Sequence, residues 1–215
     1  MIFELNKVIP STIADRPSVE LSDVWGKNIQ WKKGQFIKIT APSGTGKTTL
    51  VQILYGLRKD YIGDISYEGK NILQLNPNEL AQIRQQHWSI VFQDLRLFSS
   101  LTARENIELK RVLYDPIITE EQLSEMANQL GIQSILNQPS TKCSYGEQQR
   151  IGILRALMQP FDFLIMDEPF SHLDNVNKKI AAALISAECK RRNAGIIITD
   201  LDEDDHFDYH ISLNL

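Results

Sequence analysis

Ala41-Pro42-Ser43-Gly44-Thr45-Gly46-Lys47-Thr48-Thr49-Leu50 packs two glycines, several hydroxyls and one lysine into ten residues, the ingredients of a phosphate cradle. Gly44 and Gly46 permit the backbone angles that turn successive N–H groups toward an anion, and a following helix adds its positive N-terminal end. Ser43, Gly44, Thr45, Gly46, Lys47, Thr48 and Thr49 are therefore the expected nucleotide-binding residues, with Lys47 reaching the terminal phosphates. The Thr48 hydroxyl stands where such loops ligate Mg²⁺, so the implied ligand is a magnesium nucleoside triphosphate. The usual first glycine of the pattern is Ala41 here, the smallest side chain that could replace it. A chance glycine-rich turn is the plain alternative. A second chemical station is Asp167-Glu168, which ends an apolar run. Asp167 would hold the metal through a water and Glu168 would polarise the water that attacks the γ-phosphate; two acids capping a strand at the surface is the alternative.

These stations need a strand before the loop, a helix after it and a parallel sheet to bring both to one edge. Phe36-Ile37-Lys38-Ile39-Thr40 predicts the strand, and the apolar spacing from Thr49 to Leu57 predicts the helix. Ser89-Ile90-Val91-Phe92, Phe161 to Met166 and Ile196-Ile197-Ile198 read as further buried strands, the second nearly continuous in apolar residues as burial on both faces requires. Helices are expected over Asn78 to Gln86, from Thr119 through Leu130 behind a capping box, after Gly146 to near Pro160, and over Asn175 to Arg192. Residues 1–35 carry strand-like pieces at Ile2 to Leu5 and Val19 to Leu21 and a turn at Lys33-Gly34, which predicts a small antiparallel flap; Gly63 to Lys70 reads as a hairpin arm. Leu101 to Gln138 reads as a helical insert. Strands alternating with helices imply α/β architecture, a mostly parallel core sheet with nucleotide at its carboxyl edge.

Composition sets outer limits. The 215 residues suffice for one sizeable core or two lobes sharing one. A formal charge of -4, from 23 basic and 27 acidic residues, offers no broad attraction to nucleic acid, and no such partner is expected. The two cysteines, Cys143 and Cys189, lack metal-ligand spacing and suit a reducing compartment as plain thiols. The first residues do not form a signal peptide, and no stretch approaches the ~18 apolar residues of a membrane span, so a cytosolic chain is expected.

Gln93, Ser144-Tyr145-Gly146-Glu147-Gln148-Gln149-Arg150, Asp167-Glu168-Pro169 and Ser171-His172-Leu173-Asp174 follow the loop in order. With that order the sequence resembles an ATP-binding cassette (ABC) ATPase over nearly its whole length. Phe92-Gln93-Asp94, Leu101-Thr102 through Glu105-Asn106-Ile107, and Gly146-Glu147-Gln148-Gln149-Arg150 are most similar to the lipoprotein-release, macrolide-export and cell-division branch. The resemblance implies a P-loop NTPase fold in one domain: residues 1–92 and 160–215 as the nucleotide-binding core with its β flap, 93–159 as a helical subdomain carrying the signature. It implies ATP and Mg²⁺ as ligands, with Lys47, Gln93 and Glu168 catalytic and Thr48, Gln93 and Asp167 on the metal. Ser144, Gly146 and Glu147 would be signature residues meeting the γ-phosphate bound by a second protomer, and Asp174 would cross that interface. A helix cap at Ser144 and a solvated acid at Asp174 are the plain alternatives. The partners implied are a separate transmembrane permease subunit and a second ABC ATPase subunit, in a homodimer or heterodimer, placing the chain on the cytoplasmic face of the membrane.

The sequence departs from the family at three places. Tyr145 replaces a signature glycine. Asp200 stands where the family has a switch histidine, and an ionised carboxylate cannot donate a hydrogen bond to phosphate; His206 and His210 read as surface or strand residues. No aromatic stands clearly at the adenine-stacking place, for which Trp25 is the nearest candidate, Trp25 and Trp31 reading equally as flap core. The leading reading is a transporter or mechanical ATPase subunit. The alternative is a degenerate, weakly hydrolysing regulatory subunit, and a soluble ABC protein of translation or DNA repair ranks last.

Overall fold

A computed structural model describes residues 1–113 and 116–215. Tyr114 and Asp115, within the expected helical stretch of 101–138, lie outside the described residues. Two sheets organise the rest. The parallel sheet has the order β6 (Trp88–Val91), β7 (Phe163–Asp167), β8 (Gly195–Asp200), β3 (Phe36–Thr40), β9 (Ile211–Asn214), with β3 paired in parallel to both β8 and β9. The antiparallel sheet runs β2 (Asn28–Lys32), β1 (Ile2–Pro10), β4 (Tyr61–Tyr67), β5 (Lys70–Asn71). The hairpin arm at 61–71 thus joins the flap as part of one sheet.

Alternate residues of the parallel strands divide between two cores, as period-two geometry requires. Ile37, Ile39, Ile165 and Ile197 pack with the antiparallel sheet and with α2 (Lys47–Leu54). Leu164, Met166, Ile196 and Ile198 face the layer of α4 (Ala103–Arg111), α5 (Glu120–Gln129), α6 (Tyr145–Leu157) and α7 (Asn175–Arg192). Phe3 of β1 stacks on Trp88 at 4.9 Å and meets Phe163 edge-on at 5.0 Å, riveting flap to core. Two further short helices are α1 (Ser18–Leu21) and α3 (Pro77–Gln86). Capping boxes open α3 at Asn76, α4 at Thr102, α5 at Thr119 and α6 at Ser144. Thr119 was legible as such because its partner Gln122 lies three residues on.

Several expectations shift. Val19 to Leu21 is a helical turn instead of a strand: Pro17 adopts φ -57, ψ -27 and starts the turn, which Ser22 ends. The helix after the loop begins at Lys47 and ends at Leu54, stopped by Gly56 at φ +69. The strand expected at Phe161 to Met166 starts at Phe163. Among the described residues the insert at 101–138 holds α4, α5 and a 3₁₀ turn at Gln133–Ile135, and a second 3₁₀ turn, Ser140–Lys142, follows it. β9, without a strong apolar run, was not anticipated.

Candidate functional site

The carboxyl edge of the parallel sheet gathers the chemistry. Register pairs Thr40 with Asp200 and Asp167 with Thr199, so the strand leading into the glycine-rich loop and the strand ending in Asp167-Glu168 finish at the same level. Gly44 and Gly46 adopt φ +82 and +109, a region closed to most side chains, and Gly46 caps α2 from a left-handed conformation.

A cleft of about 310 Å³ opens there, lined by Thr12, Ile13, Arg16, Ser43, Gly44, Gly46, Lys47, Thr48, Thr49, Gln93 and Glu168. Lys47 is 4% exposed; its ammonium donates to the carbonyls of Ala41 (2.8 Å) and Pro42 (3.1 Å) and lies 3.3 Å from Glu168 Oε1. Gln93 bridges the two sides: Thr48 Oγ1 donates to its Oε1 at 3.3 Å, and its Nε2 donates to Glu168 Oε2 at 3.2 Å. Asp167, 1% exposed, accepts from Thr199 Oγ1 at 2.8 Å. Thr48, Gln93 and Asp167 also face one smaller cavity of about 120 Å³ beside the cleft. Their hydroxyl, carboxamide and carboxylate oxygens are hard donors of the kind Mg²⁺ prefers. Thr45 turns its hydroxyl onto the Pro42 carbonyl at 2.7 Å.

The signature residues are held by local bonds. Ser144 accepts from the Glu147 amide at 3.3 Å, and Glu147 Oε2 receives the Ser144 amide at 2.7 Å, closing the N-terminus of α6. A Cβ on Gly146 would lie 3.0 Å from the His172 carbonyl, so the signature packs against the segment that leads to Asp174. Asp174 accepts from the amides of Val176 and Asn177. Backbone and side-chain hydrogen bonds from Asn177 hold its carboxyl below the ordinary range. Tyr145 is 71% exposed, its ring tilted over His172 at 5.3 Å. Asp200 lies against Lys38, 3.5 Å away. His210 Nδ1 accepts from the Phe36 amide, and His206 lies edge-on to Phe170.

Thr12, Ile13 and Arg16 were not singled out from sequence, yet they line the cleft beside the loop, with Arg16 Nη1 donating to the Gly44 carbonyl at 3.3 Å. The only signal was Pro10 and Pro17 bracketing a short hydroxyl-containing stretch. Trp25 does not line the cleft. It is 2% exposed, and its ring would lie 3.4 Å from a Cβ placed on Gly46, so it packs beneath the loop backbone.

Comparison with known proteins gives a consistent answer. The family model described as "ABC transporter" matches residues 26–171. The macrolide export ATP-binding/permease protein MacB of Haemophilus ducreyi is 33% identical over 184 residues, 84% of this chain and 26% of that protein. The ABC transporter ATP-binding protein YxdL of Bacillus subtilis is 37% identical over 146 residues, 67% of this chain and 57% of its own length. The chain thus spans about a quarter of the first relative and a little over half of the second. Among solved structures, the dimeric form of MJ0796, a bacterial ABC transporter cassette, superposes with a TM-score of 0.79 at 25% identity, covering 94% of this chain and 88% of that one. The same cassette in a post-hydrolysis state bound to ADP and Pi gives a TM-score of 0.77.

Proposed function

This chain belongs to the ABC transporter family, and from that premise we propose that it is an ATP-hydrolysing subunit that closes head to tail on a second cassette and so energises a separate transmembrane permease. The reading divides the chain as one cassette, residues 1–92 and 160–215 forming the nucleotide-binding core and 93–159 the helical subdomain, docked on the cytoplasmic face of the membrane. No helix among the described residues is long and apolar enough to cross a membrane. The observation that carries the reading is the cleft itself: a lysine-bearing loop at a helix N-terminus facing a carboxylate and a carboxamide from two other strand ends.

In this reading the amides of residues 43–49 and the positive end of α2 take the β- and γ-phosphates. Lys47 exchanges its two carbonyl partners for phosphate oxygens. Thr48, Gln93 and Asp167 would hold Mg²⁺, which when bound neutralises charge on the triphosphate. Glu168 orients and deprotonates the attacking water, with Gln93 fixing its carboxylate. Ser144, Gly146 and Glu147 of one protomer complete the phosphate shell of the other, and Asp174 crosses between them. The test is steady-state ATP hydrolysis by the purified chain against Glu168→Gln; equal rates in both sink the reading.

Asp200 favours a second reading, a nucleotide-binding regulatory subunit with slow turnover. Its carboxylate accepts from the Leu201 amide at 2.8 Å and lies 3.5 Å from the buried Lys38 ammonium, so its oxygens are engaged as acceptors, and a carboxylate offers phosphate no donor.

A further inference from the structure

Helix α6 buries two long polar side chains that do not line the cleft, and each grips a loop that does. Gln149 is fully buried: its Nε2 lies 3.3 Å from the Glu168 carbonyl and 3.3 Å from Ser171 Oγ, and its Oε1 receives the His172 amide at 2.8 Å. Arg155, 9% exposed, donates to the carbonyl of Leu95 at 2.5 Å and to that of Arg96 at 2.8 Å. The gripped residues share a second property. Glu168 has φ +46, Leu95 +57 and Arg96 +45, left-handed conformations at non-glycine positions. Such conformations are disfavoured at non-glycine residues and persist only where their surroundings enforce them.

The loops so held carry the groups that face the phosphates. Glu168 is itself one of them. Gln93 stands two residues before Leu95 in a turn that is tightly wound, with the Leu95 amide on the Phe92 carbonyl at 3.0 Å and the Arg96 guanidinium 3.9 Å over the Phe92 ring. Packing alone does not explain the two grips, because Ile151, Ile153, Leu154 and Leu157 already supply an apolar face to α6. A buried carboxamide and a buried guanidinium cost free energy unless their hydrogen bonds are made, so each is held to the geometry of its loop. Six residues separate them, about 9 Å along the helix axis, so one rigid element spans both loops.

We propose that Gln149 and Arg155 are positioning residues, α6 acting as a clamp that fixes Glu168 and Gln93 relative to each other by holding the strained backbone beside each. Their effect on turnover rests on the hydrolytic reading above; the holding itself does not. Because Ser144 opens the same helix, a shift of α6 on engaging a second protomer would move both loops together.

The test uses the full chain, first without nucleotide, by hydrogen exchange read on peptides over 92–97 and 167–172. Arg155→Met speeds exchange about tenfold in the first segment and leaves the second unchanged; Gln149→Ala does the reverse. In steady-state hydrolysis both variants lower kcat about tenfold with KM for Mg-ATP changed by less than about threefold, and Arg155→Lys recovers part of the loss. Where Arg155→Met does not fold, Arg155→Lys carries the exchange test. Unchanged local exchange, or exchange raised evenly across the chain, overturns the clamp. Local exchange changes in a chain that shows no hydrolysis uphold the clamp and overturn the hydrolytic reading. Local changes with wild-type kcat in both variants overturn the positioning role.

Discussion

The ammonium of Lys38 lies 3.5 Å from the Asp200 carboxylate while ion-paired with Asp204, so one cation buried to 2% exposure in the middle of β3 serves two acids at the end of β8 and beyond. Tyr209 completes the group, its hydroxyl donating to Asp204 at 2.7 Å and its ring 5.7 Å from the ammonium. A lysine in a strand that otherwise reads as apolar core thus has a reason to be there: it balances the charge that Asp200 and Asp204 bring to the sheet edge.

Lys38→Met should destabilise the fold by about 1–3 kcal/mol, because it removes the cation from two partly buried carboxylates that keep their other donors. Burial raises the Asp204 pKa, but hydrogen bonds from Lys38, Tyr209 and the His206 amide outweigh it and leave the carboxyl below its ordinary value of 3.8. A carboxyl with a depressed folded pKa contributes stability above its unfolded pKa and loses it as pH falls through the folded one. Wild type should therefore shed this contribution only below about pH 4, and Asp204→Asn should remove that part of the acid transition. Urea unfolding at pH 7 and pH 3 reads both effects.

Asp200→His should raise turnover about tenfold, the worth of a restored hydrogen-bond donor to the γ-phosphate. Lys38 keeps Asp204 as its partner, so the variant should still fold. Steady-state hydrolysis at saturating Mg-ATP decides it: an unchanged rate means that the missing histidine is not what limits this chain.

Glu168→Gln should lower turnover by about 10²-fold or more. It also deletes the charge 3.3 Å from the Lys47 ammonium, freeing that lysine for phosphate. ATP affinity by titration calorimetry should rise a few-fold, and size-exclusion chromatography with Mg-ATP should show a dimer. A variant that stays monomeric at saturation contradicts the head-to-tail sandwich for this chain acting alone.

Burial, together with the charges of Arg155 and Arg84, pulls the Lys110 ammonium down to about 8 from 10.5. Here the unfolded chain binds the proton more tightly, so the penalty is fully present below about pH 8 and fades as pH rises toward 10.5. Lys110→Met should stabilise the fold by about 1–2 kcal/mol at pH 7, allowing for partial solvent screening, and by less at pH 10. Thermal melts at the two pH values would show the difference; equal gains at both would contradict a titrating Lys110.

The parallel sheet and its loop were legible because both signals are local. Phe36 to Thr40 carries Phe36, Ile37 and Ile39 in one short run, and Gly44 and Gly46 stand where only their backbone freedom serves. Asn175 to Arg192 was read to the residue because Asp174 caps one end and Asn193, at φ +50, stops the other. What escaped was non-local. Ile13 and Arg16 reach the cleft through the turns that follow β1, where the Ile13 amide bonds the Pro10 carbonyl and the Arg16 amide the Ile13 carbonyl, a path that no periodicity encodes. Lys38 revealed its role only when folding brought up Asp204, 166 residues away. Gln149 was legible only as part of the signature stretch and Arg155 was not singled out, since their carbonyl partners carry no side-chain pattern that a sequence shows.

β9 has a consequence for the order of assembly. Its pairing with β3 runs from Ile37–Ile211 to Thr40–Asn214, and the Asn214 amide and carbonyl also bond to Asp23 of the flap side. The strand that launches the phosphate loop is therefore flanked on one side by residues made some 170 positions later. On a ribosome, β3 keeps an open edge until residue 214 has emerged, and an open edge invites pairing with another chain. The edge of β3 beside the glycine-rich loop is thus among the last of the core sheet to find its partner, and a truncation before Ile211 should aggregate, read as loss of soluble chain on expression.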